Sequence, residues 1–336
     1  MTKKRIMWLD FAKGITVFLV VIVHVVEGIY KTGMYHQVDI FSEITMGLLF
    51  TIVMPIFFAL SGYVYKPIQS GQQFFEKTKN KFWGLGIPYI VFSIIYVMLQ
   101  HASPDVHSLN SWQALLHIYV MPVGYLWYLY VLFLVYVFIE MIHLIHIPPY
   151  WQIILYAGLL LYSVMPFSNL LYPIKSLFMW VGCFYIGIIL KEKSQILENK
   201  YIISTCSILF LGSLFWQGSQ GGAWFNTDMM SLGNIIAKIT SIPIFLYLFS
   251  RVKNGVITRY FVKYGRYSLI IYLVHAPIAS IVRTLILKVS LPPYVLLVIS
   301  TVIISWCISI FIIYLSRKYS WVNFIFYPDN YFKRMK

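Results

Sequence analysis

Residues 8–28, WLDFAKGITVFLVVIVHVVEG, form an apolar run with Asp10 and Lys13 at one end and His24 toward the other. The run is long enough to cross a hydrocarbon core of ~30 Å as a helix. Lys13 and His24 are eleven positions apart. At 100° per residue their side chains return to within ~20° of each other, about 16 Å apart along the axis. They therefore share one face, with His24 well inside the membrane. Ionisable groups at that depth are rare and line a cavity or a pathway, which makes this face a functional candidate. The alternative for His24 is a hydrogen bond to a neighbouring helix as packing glue.

The rest of the chain repeats the pattern. Of 336 residues 60% are hydrophobic, 18% aromatic and only 11% charged, and the mean hydropathy is +0.76. This composition lies outside that of soluble domains. The apolar runs are continuous rather than alternating, which excludes a membrane β-barrel. No polar segment is long enough for a separate domain. The expected fold is all-α: a polytopic membrane helix bundle of about ten transmembrane helices, forming a single domain over residues 1–336. The formal charge of +15 does not indicate nucleic acid, because the charges cluster between apolar spans. Cys183, Cys206 and Cys307 lie in apolar runs without metal-type spacing and read as small buried hydrophobes, so no metal is expected. The N-terminal MTKKR with its apolar run imitates a signal peptide but lacks a small-residue cleavage pattern, and is expected to stay as the first span.

At ~20 residues per span, helices fall at about 8–28, 44–64, 83–101, 125–146, 151–166, 174–190, 201–217, 229–249, 268–287 and 293–315. With the N-terminus inside, all 26 Lys and Arg residues fall in inner segments except Lys31, Lys175, Arg283 and Lys288 outside, and Lys238 within a span. This asymmetry orients both termini toward the cytoplasm. The outer segments 29–43 and 102–124 carry His36, Asp39, Glu43, Asp105, His107 and His117, and residues 218–228 carry Trp224, Asn226 and Asp228. Aromatic and carboxylate groups together suit sugar rings and hydroxyls. An interfacial aromatic belt with solvated loop residues is the alternative. No internal repeat of the transporter kind is evident.

Several spans carry polar residues. In MPIFFALSGYVY, Pro55, Ser61 and Gly62 interrupt the second apolar run, and small residues there permit close helix approach. Lys77, Lys79 and Lys81 then precede a helix from Trp83, either as topology determinants that meet anionic lipid or as phosphate contacts for a cytosolic anion. The fourth span opens on LWYLYVLF and closes on Glu140, His143 and His146, with Glu140 and His143 neighbours at a three-residue spacing. A Glu in such a run needs a cationic partner, and Lys238 of the eighth span is one candidate. The basic segment from Arg251 to Arg266 leads into YGRYSLIIYLVHAP, which sets a second intramembrane histidine, His275, before Pro277. Two histidines, a lysine at an inner helix end and basic loops on one side form a constellation.

These residues resemble the integral-membrane acyltransferase family 3 proteins, which O-acylate cell-envelope glycans. The matching elements are LDFAKG with Lys13, ten residues and His24, fitting an Arg/Lys-x10-His pattern; FFALSGY at 57–63; the basic stretch to IPY at 87–89; LWYL at 126–129; and GRYSLIIYLVHAP at 265–277. The family more often has arginine where Lys13, Lys79 and Lys81 stand; lysine keeps the charge without the bidentate fork. No hydrolase-like domain of the kind some members carry is attached, so transfer to the acceptor is expected of the membrane unit or of a separate partner.

The resemblance implies acyl-CoA, most often acetyl-CoA, as cytosolic donor and co-substrate. Its phosphates would meet Lys79, Lys81, Arg259 and Arg266, with its acyl end toward His24. His24 is then general base or transient nucleophile, Lys13 its companion, and His275 a second acid/base or orienting group. Asp10, Ser61, Trp127, Tyr128, Glu140 and Lys238 are candidates for substrate contact or structural support. The expected protein is an O-acetyltransferase of a capsule, exopolysaccharide or teichoic acid in the bacterial plasma membrane, with acyl-CoA, a glycan or lipid-linked sugar and membrane lipid as partners. An exporter or flippase of polysaccharide or lipid-linked sugar, with no chemistry, is the alternative, and succinyl is an alternative acyl group.

Overall fold

A backbone in hydrocarbon must satisfy its own hydrogen bonds, so the apolar runs become helices. The structure, a computed structural model, describes residues 6–102, 109–165, 169–220 and 231–332. Asp105, His107, Trp224, Asn226 and Asp228 lie outside the described residues, as do Lys3, Lys4, Arg5, Lys333, Arg334 and Lys336. The helices are α1 Met7–Tyr30, α2 Asp39–Tyr63, α3 Gly71–Lys81, α4 Ile87–Ala102, α5 Trp127–Leu144, α6 Pro149–Val164, α7 Tyr172–Glu192 and α8 Gln195–Glu198. They continue as α9 Lys200–Gln220, α10 Leu232–Ser250, α11 Val256–Gly265, α12 Ser268–Val289, α13 Tyr294–Lys318, α14 Ser320–Phe326 and α15 Asp329–Phe332. No strand occurs among the described residues.

Among the described residues 9 helical runs are long and apolar enough to cross a membrane. They coincide with nine of the ten expected positions. The tenth is α6, whose 16 residues extend only about 24 Å, short of a ~30 Å core.

Pro55 and Gly62 lie inside the second span as expected: α2 runs through both, as membrane helices tolerate proline where neighbours re-satisfy the backbone. Two boundaries are corrected. The span begins early, at Asp39, so Asp39 and Glu43 are helical rather than loop residues. The basic stretch before Trp83 is likewise helical. Ser70 caps α3 by accepting from the Gln73 amide at 3.3 Å, and a π-helical turn, Phe82–Gly86, carries α3 into α4.

The chain forms two compact units, Met1–Val64 with Cys183–Ile310, and Tyr65–Gly182 with Phe311–Lys336. In the first, α1 packs against α2, α10, α11 and α12, and Ala12, Val17, Val21, Val23 and Ile29 are fully buried. Two pairs of glycines let backbones touch. A Cβ on Gly14 would strike the Phe261 carbonyl oxygen, and one on Gly265 the Asp10 carbonyl oxygen, so α1 and α11 cross without side chains between them. Gly62 and Gly187 repeat the device between α2 and α7, facing the carbonyls of Phe184 and Ala59. Small residues at such crossings are how helices associate in lipid, where no hydrophobic force draws them together. Cys183 is buried as expected, but Cys206 is half-buried and Cys307 is exposed, because α13 turns that position outward.

In the second unit, Lys77 of α3 donates to the carbonyls of Lys66 and Pro67 at 2.7 and 3.3 Å, tying the start of the unit to its first helix. Lys81 lies 3.4 Å from the centroid of the Tyr136 ring on α5.

Candidate active site

Helical spacing builds the most reactive cluster in the first unit. His24 and Glu27 are three residues apart, Glu27 and Lys31 four, so all three side chains stack on one stripe of α1. His24 Nδ1 meets Glu27 Oε2 at 2.9 Å, and Lys31 donates to Glu27 Oε1 at 2.6 Å. Side-chain exposure rises along the stripe, from 21% at His24 to 25% at Glu27 and 56% at Lys31, so the cluster opens toward the end of α1. Its inner wall is α12. His275 is fully buried there, its ring centroid 5.1 Å from that of His24, and its Nδ1 meets the Tyr272 carbonyl at 2.6 Å. The Phe50 ring of α2 packs edge-on to His24 at 5.7 Å.

An arginine of α12 completes the wall. Arg283 is buried, its guanidinium lies where a Cβ of Gly28 would be, it donates to Ser280 at 3.3 Å, and it is within electrostatic reach of Glu27. A carboxylate and a backbone carbonyl can only accept. Nδ1 is therefore a protonated nitrogen of both imidazoles, and in the neutral ring the lone pair lies on Nε2.

The remaining candidates are dispersed. Lys13 is half-buried on α1, next to the Gly14 crossing. Asp10, one turn earlier, accepts from Arg266 Nε at 3.3 Å, so Arg266 already serves a carboxylate, while Arg259 of α11 is exposed. Lys238 is fully buried in α10 and within electrostatic reach of Cys183. Ser61 is half-buried on α2. In the second unit Lys79 is exposed and Lys81 is held over Tyr136. Glu140 is buried, and the cations that bear on it are Lys77 and Lys81 of α3. His143 turns to the Ile139 carbonyl at 2.8 Å. Trp127 packs on Trp180 at 5.4 Å between ring centroids, and Tyr128 is buried. Of the polar residues expected to meet sugar, Glu43 accepts from Tyr30 at 2.8 Å, Asp39 pairs with His36 at 3.0 Å, and His117 faces the Gln113 carbonyl at 3.0 Å.

Glu27 and Arg283 went unrecognised in the sequence. The signal for Glu27 was the three-residue spacing that drew attention to Glu140 and His143. By charge placement Arg283 reads as an outer-segment cation, yet it falls inside an apolar run and is buried on α12.

A family model described as an acyltransferase domain matches residues 6–310. The matched stretch contains both histidines, Lys13, Glu27 and Arg283. No curated protein and no solved structure matches the chain.

Proposed function

The chain belongs to acyltransferase family 3, and from that premise we propose that it moves an acetyl group from acetyl-CoA to a hydroxyl of a cell-envelope glycan. That it is a membrane acyltransferase follows from the family and from its apolar spans; donor, acceptor and site residues are the reading advanced here. An exporter without chemistry gives way to the family assignment.

The observation that carries this reading is the His24 imidazole, with Nδ1 engaged by Glu27 and a second imidazole beside it. On a neutral histidine so oriented, Nε2 is the nitrogen that can accept a proton. The acceptor hydroxyl gives its proton to Nε2 as its oxygen attacks the thioester carbon. The tetrahedral oxyanion then collapses, breaking the carbon–sulfur bond, and the CoA thiolate leaves with the proton from Nε2. Acetyl ester and free CoA thiol are the products, and His24 returns to its starting form. Such base catalysis contributes about 10²- to 10⁴-fold. His275 serves as the neighbouring acid/base or orienting group.

Charge asymmetry supports a cytoplasmic position for both termini and for Lys13. The Asp10–Arg266 pair and exposed Arg259 belong to the α1–α11 crossing. His24 lies about 16 Å farther along α1 than Lys13, a distance that an extended pantetheine arm spans. We therefore read Arg259 as a contact for the donor's phosphates. The acceptor is read as a capsule, exopolysaccharide or teichoic-acid hydroxyl, and the membrane as the bacterial plasma membrane.

The test is transfer of label from radiolabelled acetyl-CoA to the glycan fraction of membranes containing the protein. His24→Ala at unchanged membrane level is expected to lower transfer by 100-fold or more, on the order of a lost general base. Wild-type transfer by that variant refutes the assignment.

A further inference from the structure

Among the groups lining the site, Glu27 is the carboxylate that meets the His24 ring. A carboxylate on an apolar helix is held there by two groups of its own helix. His24 and Lys31 contact its two oxygens from α1, and Arg283 acts on it from α12. The chain accommodates this arrangement in its sequence. Position 28 is glycine, and any Cβ there would strike the Arg283 guanidinium, so a larger residue would push the arginine away from Glu27. His275, also on α12, is a further titratable group facing His24, and from α2 Phe50 faces it.

We infer that Glu27 is a positioning residue for the transfer reaction, fixing His24 with its proton on Nδ1 and its lone pair on Nε2, while Lys31 fixes Glu27. The inference rests on the reading of His24 as the base. It adds a second element to the site, an acidic partner on the same helix that is itself held by Lys31. Through the reaction the Nδ1 proton stays between His24 and Glu27, and the mobile proton passes only through Nε2. An imidazolium formed at the moment of attack then faces a carboxylate rather than hydrocarbon. A carboxylate that holds a histidine in its reactive tautomer is a general device of acyl-transfer chemistry, and its neutral amide replacement costs far more in turnover than in binding.

Two substitutions separate this role from a structural one. Glu27→Gln keeps the size of the side chain. Its single oxygen is drawn to Lys31, leaving an N–H group toward His24 that reverses the tautomer. Glu27→Asp shortens the side chain but keeps the carboxylate. Acetyl-CoA titrations of label transfer in membranes, normalised to protein amount, give kcat and KM. Equilibrium binding of acetyl-CoA to the purified protein gives a readout independent of turnover.

For Glu27→Gln the expected result is a kcat lowered by about 100-fold or more, with KM and acetyl-CoA binding within about three-fold of wild type. Glu27→Asp is expected to recover at least ten-fold of that loss. A packing role predicts the reverse order, with Gln the milder change, and that order overturns the inference. So does wild-type kcat in Glu27→Gln when His24→Ala is inactive, a result that leaves the role of His24 standing. Full transfer by His24→Ala instead removes the proposed function, and the inference with it.

Discussion

Gly62→Ala tests how the first unit is held together. The new methyl group would fall on the Phe184 carbonyl oxygen and 2.8 Å from its carbonyl carbon, and both atoms are backbone, so no side chain can turn aside. The α2–α7 crossing must open by about 1 Å. For roughly 20 atom pairs at the contact, each worth about 0.1–0.2 kcal/mol, a gap of that size forfeits a quarter to a half of the attraction, about 1 kcal/mol. Displaced neighbours add about 1–3 kcal/mol of overpacking strain. The expected loss is about 2–4 kcal/mol. Gly187→Ala should match it, because its Cβ meets the Ala59 carbonyl across the same crossing. The two losses should not add, since one opening relieves both clashes; a double variant is expected to fall short of the sum by about 1 kcal/mol or more. Thermal unfolding of the detergent-solubilised protein measures all three. A midpoint for Gly62→Ala within about 1 °C of wild type would refute the reasoning, because a loss of 2 kcal/mol shifts even a large domain by several degrees.

Two further outcomes follow from other contacts. Ser42 and Tyr294 share a buried hydrogen bond of 2.8 Å; Ser42→Ala and Tyr294→Phe should each cost about 1–2 kcal/mol in thermal unfolding, with the double variant less than additive. Arg259→Ala, removing an exposed cation of α11, should raise the acetyl-CoA KM about five-fold, on the order of a 1 kcal/mol charged contact, and leave kcat unchanged; an unaltered KM would remove Arg259 from the donor site.

The helices were legible because lipid imposes length and hydropathy on each span, and nine runs of the sequence meet both. What escaped was everything governed by contact between helices. Helix α3 has no apolar run to announce it: Gln72, Gln73, Glu76, Lys79 and Asn80 leave most of its surface to solvent. The crossings at Gly14 with Gly265 and Gly62 with Gly187 join positions far apart in the chain, and a glycine carries no mark of the carbonyl it will meet. His24 and His275 were each recognisable as out of place in hydrocarbon, but their approach to 5.1 Å depends on how α12 packs on α1. Lys81 shows the limit of reading charge alone. A cation before a span has a topological reason to be there, and only the fold reveals the Tyr136 ring beneath it.

The helix that carries His24 is pinned at two levels, by direct backbone contact with α11 at Gly14 and by Arg283 wedged against Gly28. Between these points it can neither slide nor turn by a residue without driving atoms into each other. The imidazole is thus a stationary post rather than a swinging arm. Whatever distance separates a bound thioester from a bound hydroxyl must be closed by the substrates or by other helices. Labels that report motion should therefore stay quiet on α1 through a catalytic cycle, and the search for moving parts belongs elsewhere in the chain.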